Sequence, residues 1–158
     1  MNDLSIECEY TISQMNMMGV GMALPYPRPD GTLPPGQHQI AALSELAVVF
    51  PATTPRRQAL NAALIQFVET VRRLALGNRV IIDGSYITGK AEPEDIDLAL
   101  LSMGASETIT LQRLQQEGVD LALLDVFVAM TPPDFARWVT FFSTDRSGRA
   151  RGVVLLTI

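Results

Sequence analysis

Positive charge, cysteine and histidine are all scarce in this 158-residue chain, and each scarcity removes a class of function. The net charge of −5 excludes a protein-wide electrostatic grip on nucleic acid, which depends on clustered lysine and arginine neutralising phosphates. The single cysteine, Cys8, excludes an intramolecular disulfide and fits a reducing compartment. With only His38 beside it, the chain lacks the usual ligands of a structural zinc site. No uninterrupted apolar run approaches the ~18 residues needed to cross a bilayer. The acidic start has neither the basic flank nor the apolar stretch of a signal peptide. A cytoplasmic protein with no membrane partner is expected.

What is present suits a single globular domain, since an apolar fraction of 47% in a chain of this length can bury one core. Residues 1–24 mix Asn, Met, Ser and Gly without steady periodicity, and Pro25, Pro27, Pro34 and Pro35 make residues 25–36 an extended, helix-poor linker. The expected organisation is a flexible lead over 1–36 and one domain over 37–158. A second role for the lead is open, because Met15, Met17, Met18 and Met22 suit an apolar surface on a partner. His38 precedes a helix-like stretch, Ile40–Leu46, and reads as a capping or surface residue rather than a general base.

Thr54 before Pro55 predicts a helix start, and Leu60, Leu64, Phe67, Val68 and Val71 recur at helical spacing until Gly77 ends the run. Apolar runs at 79–83, 96–101 and 122–130 read as central strands, with a helix from about Ser106 to Gln116 between the last two. Pro132-Pro133 opens another helix, and Gly152–Ile158 reads as a last strand. So apolar a strand must be buried in the sheet or covered, and pairing of two copies through its edge is one expectation.

Chemistry concentrates between Ile81 and Leu100. Side chains two apart on a strand point the same way, so Asp95 and Asp97 share a face while Ile96 and Leu98 take the other. Two carboxylates so placed suit magnesium or manganese, a hard cation usually held by one or two carboxylates together with substrate phosphates. Gly84 and Ser85 follow the apolar Val80-Ile81-Ile82, where the glycine lets backbone approach a phosphate and the serine adds donors. Lys90, the only lysine against eleven arginines, is placed to meet a phosphate as a point charge, or to be a mobile surface residue. Thr88 either donates to phosphate or satisfies its own turn; Tyr86 either stacks on a base or packs. Arg56, Arg57, Arg72 and Arg73, at the two ends of one helix, read as a solvated face. Arg146, Arg149 and Arg151 either reach a ligand or are solvated too. Either half of the central motif alone has a plain structural explanation, as a turn or a solvated strand end.

Gly84-Ser85, nine residues, then Asp95-Ile96-Asp97 resembles the signature of the DNA polymerase beta-type nucleotidyltransferase superfamily. Leu33-Pro34-Pro35-Gly36, Asp83-Gly84-Ser85-Tyr86-Ile87-Thr88 and the basic stretch Asp145–Gly152 resemble a short prokaryotic branch of it, so the likeness spans most of residues 33–158. The resemblance implies an α/β (α+β) nucleotidyltransferase fold, a mixed central sheet flanked by helices. It also implies a third carboxylate on a later strand, and Asp125, inside Leu123–Val128, is preferred to Asp120 because an aspartate in an apolar run is costly to bury without a partner or a metal.

On this reading Asp95, Asp97 and Asp125 are metal ligands and catalytic residues, and Gly84, Ser85, Thr88 and Lys90 bind nucleotide. The implied reaction moves a nucleoside monophosphate from a nucleoside triphosphate to a protein, RNA or small-molecule acceptor. By analogy with minimal members of the superfamily, a partner protein in a toxin–antitoxin or phage-defence module is expected. The alternative is a catalytically inactive module of the same fold that binds a nucleotide or a protein partner. Retention of three acids argues against it, because burying them without metal is unfavourable.

Overall fold

The computed structural model describes residues 24–158. Methionines 15, 17, 18 and 22, offered above as a partner-covering set, lie outside the described residues, as does Cys8.

Helix boundaries follow local chemistry. Strand β1 (Gly36–Ile40) is followed by helix α1 (Leu43–Val49) and helix α2 (Pro55–Leu74). Thr54 caps α2 by accepting from the Arg57 N–H at 3.1 Å, and proline fills the first helical position, where no donor is needed. The expected stop at Gly77 is corrected: Ala75, at a left-handed φ of 51°, ends the helix. Gly77 instead opens strand β2 (Gly77–Asp83), where a Cβ would collide with the Leu101 carbonyl and the Leu100 side chain. After a 3₁₀ turn at Ser85–Ile87 come strand β3 (Ile96–Ser102), helix α3 (Glu107–Gln116) and strand β4 (Leu124–Ala129). Helix α4 (Pro132–Phe142) and strand β5 (Gly152–Thr157) complete the described elements. Ser106 caps α3 and Thr131 caps α4, each accepting one backbone N–H at 3.3 Å.

The five strands form one mixed sheet in the order β1-β5-β2-β3-β4. The pairs β1–β5 and β3–β4 are parallel; β5–β2 and β2–β3 are antiparallel. The apolar tail therefore lies between β1 and β2, and the edge through which two copies were expected to pair is already taken within the chain. Among the described residues the two edges are β1 and β4. Strand β1 falls where a linker and then a helix-like stretch are expected; its Gly-Gln-His-Gln-Ile sequence carries no apolar alternation and is held as a strand by backbone pairing to β5.

Period-two alternation divides the core between the two faces of the sheet. Val80, Ile82, Leu98, Leu100, Val154 and Leu156 pack with Leu46 of α1, with Leu60, Leu64 and Phe67 of α2 and with Leu114 of α3. Ile81, Ala99, Val153 and Leu155 pack with Phe135 and Phe142 of α4 on the other face. Leu24 and Leu33 are buried in the first cluster, so the packed body reaches back beyond residue 36 and the Pro-rich stretch is extended but docked. His38 is half-buried on β1, its Nε2 lying 2.7 Å from the Pro34 carbonyl. Among the described residues no helix is long and apolar enough to cross a membrane. The architecture is mixed α/β, with three helices on one face and α4 on the other. On that face the ends of β3 and β4, at Asp97 and Asp125, are half-buried and exposed respectively.

Candidate functional site

Register brings three aspartates into a row across the sheet: Asp83 on β2 pairs with Asp97 on β3, which pairs with Asp125 on β4. Alternation puts them on the α4 face, two residues along from Ile81, Ala99 and Phe127 respectively. Asp95 joins from just before β3. One carboxylate oxygen from each of Asp95, Asp97 and Asp125 lies within 4.8 Å of the other two. Asp120 takes no part, since its carboxylate accepts the Ala122 N–H at 3.0 Å in the turn before β4. One expectation is corrected here: Asp125 is exposed rather than buried, because β4 is an edge strand with open space above this end.

Proximity makes the cluster electrostatically uncomfortable. Burial first, then the charges of Asp95 and Asp125, push the Asp97 carboxyl up to about 6, against the pull of Arg151 and Arg146. Asp95 is also raised, by burial and then by Asp125 and Glu94, with Arg56 opposing. A cation among these oxygens would relieve the repulsion. The donor set, all oxygen and all acidic, fits a hard divalent ion such as magnesium or manganese.

Asp83, which reads in sequence as the end of an apolar run, was not foreseen as part of this site. It is fully buried, and burial pushes it up to about 7 in spite of Arg151, whose Nη2 lies 2.5 Å from its Oδ2. Its Oδ1 is buried without a hydrogen-bond partner among the described residues. Arg151 also donates through Nε to the Phe142 carbonyl at 3.1 Å, so the pair ties the end of α4 to β2. Its sequence signal was its place directly before Gly84-Ser85; its register with Asp97 is legible only once the antiparallel pairing is known.

Gly84 has a φ of 89°, and a Cβ there would sit 3.0 Å from Asp97 Oδ2. Both facts demand glycine. The 3₁₀ turn that follows exposes Ser85 to the cleft but buries Tyr86, whose hydroxyl donates to Asn61 Oδ1 at 3.3 Å. Tyr86 therefore packs. Thr88 also turns inward: its Oγ1 donates to the Ser85 carbonyl at 2.6 Å and accepts the Lys90 N–H at 3.1 Å. Thr88 is thus a turn residue and does not line the cleft, whereas Gly84, Ser85 and Lys90 do.

The loop is pinned from behind by arginines expected to face water. Arg57 is only 4% exposed, and its guanidinium donates to the carbonyls of Tyr86 at 2.9 Å, Thr88 at 2.5 Å and Lys90 at 2.9 Å. Arg56 donates to the carbonyls of Pro93, at 3.0 Å, and Glu94. Only Arg72 and Arg73 keep the expected solvated place, Arg73 pairing with Glu117 at 2.7 Å.

An open cleft of about 1110 Å³ lies at the carboxylate cluster. Its lining includes the three carboxylates, Ser85 and Lys90, together with Phe141, Arg146, Ser147 and Arg151. Of the three C-terminal arginines Arg149 is the exception, lying beside Asp145 at 3.9 Å on a turn that the Asp145 carboxylate organises.

A model of a family of unknown function (DUF6932) matches residues 25–157. No curated protein and no solved structure matches the chain.

Proposed function

The chain belongs to that family of unknown function, and we propose that it is a metal-dependent nucleotidyltransferase of the DNA polymerase beta-type fold. The observation that carries this reading is the convergence of Asp95, Asp97 and Asp125 within 4.8 Å beside a glycine-serine turn that opens to the same cleft. Asp95, Asp97 and Asp125 would hold magnesium or manganese. When bound, the metal supplies positive charge that neutralises the triphosphate and sharpens an attacking hydroxyl.

The chain's own residues account for the rest. The Gly84 backbone and the Ser85 hydroxyl orient the β- and γ-phosphates, and Lys90 and Arg146 offer cations to their oxygens. An acceptor hydroxyl oxygen bonds to the α-phosphorus, and the bond from that phosphorus to the bridging oxygen breaks. The bonding pair leaves with pyrophosphate, and the hydroxyl proton passes to the exposed Asp125 carboxylate. Catalysis would come mainly from positioning and charge. The acceptor classes are a protein, an RNA end or a small molecule, and a partner protein of a toxin–antitoxin or defence module is the setting that the family likeness suggests.

The test is calorimetric binding of the four nucleoside triphosphates with and without magnesium, on the wild type and on Asp95→Ala/Asp97→Ala. Magnesium-dependent binding that disappears in a folded variant is expected. Absence of binding to every triphosphate by the wild type would overturn the proposal.

A further inference from the structure

Phe141 is 64% exposed, and no other large apolar side chain among those described is more so. The other exposed large apolar residues lie elsewhere on the surface, while Phe141 lines the cleft that holds the carboxylates. Its neighbours on α4 explain how it comes to be there. Phe135 and Phe142 are buried on the sheet and Trp138 packs beside them. Residue 141, about 100° around the helix from 142, is carried off that stripe towards the opening.

The ring is held without being covered. Trp138 lies 5.5 Å away at 83° and Phe142 lies 5.2 Å away at 76°, both near-perpendicular, so neither neighbour stacks on it. The aromatic group also runs continuously from the metal-type cluster. Phe127 follows Asp125 by two residues on the same strand face, about 7 Å along it. Phe142 is 6.2 Å from Phe127, and Phe141 comes next. One cleft thus joins an acidic, phosphate-suited end to an aromatic end, the polarity sequence of a nucleotide.

We propose that Phe141 is a stacking platform for the base of a nucleotide whose phosphates meet the Gly84–Ser85 turn. The assignment rests on the nucleotide reading of the cleft and adds the place of the base. Every base has a π face, so a platform of this kind tolerates base identity, and the four triphosphates bind within a few-fold of one another.

The test compares magnesium-ATP with magnesium-tripolyphosphate, which has the phosphates and no base, by calorimetry. The wild type is expected to bind ATP about tenfold more tightly than tripolyphosphate. Phe141→Ala lowers ATP affinity to the tripolyphosphate level and leaves tripolyphosphate binding unchanged, and Phe141→Tyr restores the preference. Trp138, the only tryptophan, supplies a second readout: ATP changes its fluorescence in the wild type and tripolyphosphate does not. Equal affinity of the wild type for the two probes, or unchanged ATP binding by Phe141→Ala, would overturn the platform while the nucleotide reading stands. Failure of both probes to bind would remove the nucleotide reading and the platform with it.

Discussion

At the scale of single residues, the site is a set of charges held closer than they would choose. Asp97 and Asp83 have folded values of about 6 and about 7, above the ordinary carboxylate value of 3.8, so the folded chain binds their protons more tightly than the unfolded chain does. Their stabilisation is therefore complete below pH ~4 and is lost as pH rises through 6 and 7. Asp30 and Asp145, held low by Thr32 and Ser147, act in the opposite sense, but only as pH falls below ~4. Without metal, the melting temperature should decline between pH 5 and pH 8, and Asp97→Asn should flatten part of that decline. A pH-independent melting temperature over this range in the wild type would show that the cluster is not strained. Asp95 and Asp97 were legible as a pair because strand alternation is local. Asp83 was not, because its role depends on β2–β3 register and on Arg151, sixty-eight positions away in sequence.

At the scale of elements, the phosphate-facing loop is rigid because of the helix behind it. The N-terminal turn of α2 sends Arg57 into the loop rather than into water, where its planar fork donates to three carbonyls, of which that of Tyr86 is buried. Arg57→Met should destabilise the fold by about 3 kcal/mol, since charged hydrogen bonds to three carbonyls of one loop are lost together. Arg57→Lys should rescue little, because one ammonium cannot span three carbonyls. Chemical denaturation measures both, and a loss under ~1 kcal/mol for Arg57→Met would mean the loop does not depend on the clamp. Sequence periodicity exposed α2, α3, α4 and the four apolar strands, whose side chains carry the signal themselves. It did not expose β1 or the inward turn of Arg57. An edge strand made by backbone pairing has no pattern of its own, and an arginine beside a second arginine looks like a solvated pair until the loop that it binds is folded over it.

At the scale of the whole molecule, the sheet order couples the last strand to the site. Because β5 is inserted between β1 and β2, the segment leading into it delivers Arg151 to Asp83 and Arg146 to the cleft. The protein is acidic overall, at −5, yet Arg146 and Arg151 are brought to where the carboxylates are most crowded. They offset the repulsion only in part, as the raised Asp95 and Asp97 show. A divalent ion bound to the folded chain and not to the unfolded one should therefore stabilise the entire domain, by about 2.7 kcal/mol at a hundred times its dissociation constant. For a domain of this size that is a rise in melting temperature of roughly 5–10 °C. Magnesium should produce this rise in the wild type at pH 7.5 and fail to do so in Asp97→Asn, while sodium chloride at matched ionic strength does little in either. An equal rise in both proteins would trace the effect to general screening of an acidic surface, and the carboxylate cluster would lose its claim to be a metal centre.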